Sequence, residues 1–240
     1  MHRLVTADVF RPGTFLDALR FIGDHPGFLL GKAAEQLALA GAALGLALAL
    51  ALPLGILLGH LHRGSTVAIG GSIVGRALPS LVLIGAFLTV LGIGFLNNMV
   101  ALAVLAAGPL LTNGYQAVDG VDRDVVEAAR GMGMSGGQVL RRVELPLALP
   151  LVFAGVRIAA VTVVATAPIA AVAGGGGLGD VIVNQASYRL EGVLGASLCV
   201  MALSALVYGL FLWLERAVTP RGLRSADRPA EPLPAVSGAR

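Results

Sequence analysis

The sequence predicts an all-α integral membrane protein with about five transmembrane helices. Three observations predict it. The chain has 240 residues, of which 56% are hydrophobic and only 13% charged, too little charge to cover a soluble domain of that size. Mean hydropathy is +0.84. The apolar residues run in long unbroken blocks, where a soluble helix would show stripes. Little chain is left over for a soluble enzyme domain.

Residues 1–36 form an N-terminal segment. Arg3, Asp8, Arg11, Asp17, Arg20, Asp24, Lys32 and Glu35 are spread through it with no apolar core between them, so it does not read as a signal peptide. Thr14 and Asp17 have capping-box spacing, and Phe15, Leu16, Leu19 and Ile22 share a face. This predicts an interfacial amphipathic helix over 15–23.

The first span is predicted over 37–59, uncharged and with Pro53 inside it, long enough for about 30 Å of hydrocarbon. His60, Leu61, His62, Arg63 and Gly64 make a short basic turn. A second apolar block covers 65–96, interrupted only by Arg76 and marked by Pro79. Asn97 and Asn98 break the pattern before a third span over 99–118, which contains Pro109. The one substantial polar loop is 119–144. A fourth span covers 146–173, followed by the run Gly174-Gly175-Gly176-Gly177-Leu178-Gly179-Asp180. The last span is 192–214, with Trp213 as an interfacial anchor. Residues 37–215 thus make the transmembrane domain. Residues 216–240, with Arg221, Arg224, Arg228, Pro229, Pro232 and Pro234, read as a disordered tail.

Charge sets the orientation. With 119–144 in the cytoplasm, five spans place the N-terminus outside and the tail inside. The inner side then carries Arg63, Arg123, Arg130, Arg141, Arg142, Arg216, Arg221, Arg224, Arg228 and Arg240. The outer side carries Arg3, Arg11, Arg20, Lys32 and Arg189, a bias of the positive-inside sign. The pI near 9.6 therefore reflects loops and tails in a cell membrane and predicts no nucleic-acid partner. Cys199 is the only cysteine, so an intrachain disulfide is impossible. His2, His25, His60 and His62 form no metal pattern.

The loop carries most of the information. Asp122 is placed to cap a short helix with Val125, Val126 and Ala129 on its apolar face, ended by Gly131 and Gly133. Ser135 and Gln138 form a capping box for a second helix with Val139, Leu140 and Val143 on its apolar side. Pro146 opens the fourth span, where a missing N–H costs little. Small residues at Ala128, Ala129, Gly131 and Gly133 would let another protein approach the backbone. Glu127 adds a charge beside them, and Arg141 and Arg142 give the base of the loop a cationic edge.

Glu127-Ala128-Ala129, then Gly133, then Val143-x-Leu145-Pro146 resembles the EAA loop of ABC importer permeases. The longer run GMGMSGGQVLRRVELPLALPLVFAGVRIA, the segment GGGGLGD and Ala77-Leu78-Pro79-Ser80-Leu81 most resemble the osmoprotectant branch, which carries glycine betaine, choline and carnitine. The resemblance covers about residues 37–215. It implies a type I ABC importer permease fold, with the chain forming the translocation path in a cell membrane. The implied partners are a second permease chain, an ATPase subunit that binds ATP and Mg, and an extracytoplasmic solute-binding protein. Glu127, Ala128, Ala129, Gly131 and Gly133, with Leu145 and Pro146, would dock the ATPase. This chain would carry no cofactor and no catalytic residue. Gly-Gly-Gly-Gly-Leu-Gly-Asp also occurs in methionine importers, so an importer of methionine or another amino acid is the alternative within the class.

Arg76, Pro79 and Arg157, with Gly176 and Gly179, are the candidates for the translocation path or its gate. Arg76 and Arg157 stand at membrane depth, where an arginine costs about 2.5–3.5 kcal/mol unless it snorkels or faces a cavity. Gly174, Gly176 and Gly179 match G-x-G-x-x-G, but a membrane span precedes them where a dinucleotide site needs a strand. An external turn or re-entrant piece fits better. The only lysine, Lys32, has Pro26 and Ala33 where a phosphate-binding loop needs Gly and Ser or Thr. An ion-coupled secondary transporter is the reading from another class, but no acidic residue interrupts the five spans. Gly41/Gly45, Gly55/Gly59 and Gly71/Gly75 have the spacing of close helix packing. Tyr115, Tyr188, Tyr208 and Trp213 are scattered toward span ends. No aromatic cage for a quaternary ammonium group is visible, which leaves affinity to the binding protein.

Overall fold

The computed structural model describes residues 12–64, 66, 70 and 79–218. Arg76, Gly71, Gly75, residues 1–11 and the tail from 219 onward lie outside the described residues, as do the expectations made for them. Every regular element among the described residues is helical.

Helix α1, Pro12–Asp24, begins before the predicted cap, so Thr14 lies inside it. The side it packs on the protein is distinct from the apolar face expected to lie on the bilayer. Ala18 is fully buried, and Phe21 and Ile22 pack against the last helix, whereas Phe15, Leu16 and Leu19 stay exposed. The tertiary partner chose a different stripe from the most apolar one. Helix α2, Pro26–His60, starts well before residue 37. Charge ended the sequence-based span there, but Lys32 and Glu35 are satisfied by each other and by the glycine-rich turn, so the helix runs on through them.

Helix α3, Ser80–Leu91, starts at Pro79, whose extended ψ of 131° precedes the first turn. It is about 18 Å long, short of a full crossing. The earlier part of the predicted block, 65–78, falls almost entirely outside the described residues. Gly92 (φ 74°) and Gly94 (φ 138°) turn the chain into α4, Phe95–Asp119. Next come α5, Arg123–Gly131, and α6, Gly136–Val139. A π-turn, Leu140–Glu144, leads from α6 into α7, Leu145–Thr166. A 3-10 stretch, Ala167–Ala173, the glycine turn and α8, Leu178–Val183, follow. The last helix, α9, Gln185–Val218, is broken at Arg189 (φ 55°, ψ −177°).

Among the described residues, four helical stretches are long and apolar enough to cross a membrane: Pro26–His60, Phe95–Asp119, Gly136–Ala173 and Gln185–Val218. Helices α2, α4 and α7 hold the core, built on small residues such as Ala43, Ala47, Ala106 and Ala159. Without a hydrophobic drive between helices in lipid, close backbone approach supplies the packing energy. A Cβ at Gly55 would lie 2.5 Å from Leu111 O, and one at Gly59 would lie 2.6 Å from Tyr115 O. That pair is a true contact of α2 with α4. A Cβ at Gly41 or Gly45 would meet none of the described residues within 4 Å.

Candidate functional site: the polar loop and the two ends of the bundle

Helix α5 forms as its residues dictate. Asp122 accepts a hydrogen bond from Asp124 N at 2.9 Å, relieving one of the four unpaired N–H groups of the first turn. Gly133 adopts φ 85°. Its N–H bonds Arg130 O at 2.9 Å and Met134 N–H bonds Ala129 O at 3.3 Å, the two closures of a Schellman stop. Gly131 is the last helical residue and Gly133 makes the turn. Ser135 N donates to Gln138 Oε1 at 2.8 Å, within the expected capping box.

The helix presents a definite face. Val126 and Ala129 are buried against the bundle; Glu127, Ala128, Gly131 and Gly133 are exposed. Ala129 therefore holds α5 down and leaves Ala128 and the glycines as the approachable surface. Val125, expected on the buried side, is 43% exposed, and Met132 beside it is 73% exposed. A Cβ at Gly131 or Gly133 would meet nothing within 4 Å, so the surface over them is open. Leu145 and Pro146 are half-buried. The second helix of the loop is not a separate piece, because it passes through the π-turn straight into α7. The wider turn sits just before Pro146, whose ring and missing N–H would otherwise disturb a regular ladder.

Both ends of the loop are tied to the basic turn. His60 donates Nδ1–H to Glu144 Oε2 at 2.5 Å, and His62 donates Nδ1–H to Asp119 Oδ1 at 2.7 Å. Glu144 is 1% exposed. These histidines, which fit no metal pattern, act as clasps between the end of α2 and the two roots of the loop.

At the other end of α2, Lys32 Nζ reaches Glu35 Oε2 and Asp180 Oδ2, each at 2.9 Å. Glu35 Oε2 also accepts from Gly177 N at 3.0 Å. Gln36 donates to Val164 O at 3.0 Å, near the end of α7 where helical carbonyls run out of partners. The glycine turn takes positive φ at Gly174, Gly176 and Gly177. A Cβ at Gly179 would fall 2.3 Å from Pro168 O. Ala173 O accepts from Gly94 N and Asn98 Nδ2. The run is thus a tightly held turn, and Gly176 lies beside Glu35 within it. Arg157 is matched inside the chain. Its guanidinium donates to Glu215 Oε2 at 2.6 Å and lies 5.2 Å from the Tyr208 ring centroid.

Residues 51–220 match the family described as binding-protein-dependent transport system inner membrane component. The chain belongs to this family. Among similar permeases, the glycine betaine/carnitine/choline transport system permease protein OpuCB of Bacillus subtilis (strain 168) is 34% identical over 207 residues, covering 86% of this chain and 95% of that protein. The carnitine transport permease protein OpuCB of Listeria monocytogenes is 35% identical over 218 residues, covering 90% of this chain and 100% of that protein. Among solved structures, a chain of the MetNI methionine ABC transporter in an inward-facing conformation matches with TM-score 0.71 at 25% identity, covering 82% of this chain and 99% of that chain. The protein is a multi-pass membrane permease subunit of an ABC importer.

Sequence reading missed two features of this permease. A cleft of about 450 Å3 at membrane depth is lined by Thr112, Asn113 and Gln116 of α4 and by Ile158 and Thr162 of α7. Its polar residues are divided between two helices, and only the helix pairing gathers them. Gln36, Asn97, Asn98 and Glu144 are fully buried polar side chains, and the asparagines looked like a loop break. A charge- and polarity-based span boundary cannot distinguish a loop from an interior amide whose N–H groups bond backbone carbonyls, as Asn97 Nδ2 does to Ile84 O and Asn98 Nδ2 to Ala173 O.

Proposed function

We propose that this permease imports osmoprotectants such as glycine betaine, choline or carnitine, driven by ATP hydrolysis on a separate ATPase subunit that holds ATP and Mg. The observation that carries the reading is the 34–35% identity, across most of the chain, to permeases named for those solutes. The methionine alternative rests on the 25% identical structural neighbour. A second permease chain completes the path and an extracytoplasmic binding protein delivers the solute. The N-terminus lies outside and the loop and C-terminus lie in the cytoplasm, as the arginine bias favours.

In this reading α5 is the coupling helix. Glu127, Ala128, Gly131 and Gly133 face the ATPase, with Val125 and Met132 as apolar contacts. A displacement of α5 passes to α4 through the short Gly120–Asp122 turn. It passes to α7 through α6 and the π-turn, a path with no flexible linker after Ser135. The His60 and His62 clasps carry the same displacement to α2. Pro79, Gly176 and Gly179 then belong to segments whose closure the loop would control, and Arg157 braces α7 on α9. The chain performs no covalent chemistry.

The test is reconstitution with the ATPase and binding protein, followed by uptake of labelled glycine betaine, choline, carnitine and methionine. Expected is ATP-dependent uptake of the quaternary ammonium solutes, lost in the Glu127→Ala, Gly133→Trp double variant. ATP-independent uptake would overturn the reading, and methionine uptake alone would overturn the substrate.

A further inference from the structure

The sequence shows its aromatic residues scattered, yet the fold gathers four rings at one spot. Phe21, in the last turn of α1, stacks on His25 with centroids 4.7 Å apart. His25 donates Nδ1–H to Phe21 O at 3.3 Å, which fixes its ring. Phe28, in the first turn of α2, stacks on Tyr188 with centroids 5.7 Å apart. Both pairs line a single cleft of about 450 Å3, together with Ser187, Arg189 and Glu191. Tyr188 also lines the neighbouring cleft, with Lys32 and Asp180.

The rim carries one charge of each sign. Arg189 Nε stands 3.6 Å from Glu191 Oε1, and the Arg189 side chain is 80% exposed. Its φ of 55° is a conformation that non-glycine residues avoid, and it interrupts α9 at this point. Such strain persists only where the surroundings over-determine it and concentrates at ligand sites. Gly192 is required beneath the rings, since a Cβ there would lie 2.8 Å from Tyr188 Cβ and 3.3 Å from Phe21 Cζ.

Aromatic faces attract a methylated ammonium through the ring quadrupole, and its weak hydration makes the exchange favourable. A carboxylate such as Glu191 adds attraction to the cation, and Arg189 offers donors to a carboxylate on the same ligand. At 1.5 Å per residue, the stretch of α2 from Lys32 to His60 spans about 42 Å, the thickness of a bilayer with its headgroups. The cleft therefore lies across the membrane from the ATPase-facing loop. We propose that Phe21, Phe28 and Tyr188, with Glu191 and Arg189 on the rim, form a receiving subsite for zwitterionic quaternary ammonium solutes at the outer mouth of the permease. This rests on the substrate and orientation proposed above. The subsite would hold solute released by the binding protein before it passes the Lys32–Asp180 pair.

The permease–ATPase complex is placed in nanodiscs of phosphatidylethanolamine and phosphatidylglycerol, without binding protein. Saturation-transfer NMR then reads contact with tetramethylammonium and glycine betaine. Phe28→Ala and Tyr188→Ala should each lower the transfer by about fivefold, while Tyr188→Phe, which keeps the ring, retains it. In proteoliposomes with the binding protein, the alanine variants should slow betaine uptake several-fold while binding-protein-stimulated ATP hydrolysis stays within about twofold, the mark of an intact, coupled assembly. Equal transfer in all variants, with normal betaine uptake by the unmodified importer, would overturn the subsite and leave the transport reading standing. Loss of transfer in phosphatidylcholine nanodiscs would assign the pocket to the lipid headgroup and overturn the solute assignment. An unmodified importer that moves methionine and no betaine would overturn both.

Discussion

Replacing His60 with alanine tests whether the clasp at the base of the loop holds the fold. Glu144 is 1% exposed; its Oε2 bonds His60, and its Oε1 has no partner among the described residues. His60→Ala therefore leaves a buried carboxyl with no protein partner on either oxygen. Stranding one member of a buried pair costs about 3–5 kcal/mol. The His60 side chain is 13% exposed, so water can reach the vacated site and the lower end applies, about 3 kcal/mol. Glu144→Gln keeps a polar partner for the imidazole and should cost about 1 kcal/mol. The combination His60→Ala with Glu144→Leu removes the stranded group and should recover part of the loss. Unfolding of the purified permease by SDS titration in mixed micelles measures all three, and ATPase stimulation in the assembled importer shows whether the loop stays coupled. Equal stability of His60→Ala and the parent, or a Glu144→Gln loss as large as that of His60→Ala, would refute the reasoning.

Gly179→Ala should destabilise by about 3 kcal/mol, because its Cβ would fall 2.3 Å from a backbone oxygen; Gly131→Ala, in open space, should change the same unfolding midpoint little. Gly133→Ala should cost about 1 kcal/mol, since φ 85° is strained for alanine, with Gly133→Asn milder; thermal melts in detergent compare the two. Glu215→Gln should weaken the α7–α9 contact by about 1–2 kcal/mol, as Arg157 and Glu215 are each only about one-fifth exposed. If Arg157→Ala leaves both uptake and assembly intact, Arg157 has no part in the path.

By itself the sequence determined the class, the long apolar spans and the chemistry of the loop. These are local properties: hydrophobic length, capping residues one turn apart, and a glycine where φ must be positive. Asp122, Ser135 with Gln138, and Gly133 do in the fold what their spacing demanded. Tertiary structure decided which side of each element is used and where charge can be tolerated. Ala18 is buried while Phe15 is not, Ala129 turns inward while Val125 turns out, and α2 runs on through Lys32 and Glu35. Each depends on a partner distant in the chain, such as Asp180 for Lys32, Glu215 for Arg157 or Glu144 for His60. The same holds for the four rings of the Phe21, His25, Phe28 and Tyr188 cluster. No window of sequence contains them together, because three helices had to pack before their faces could meet.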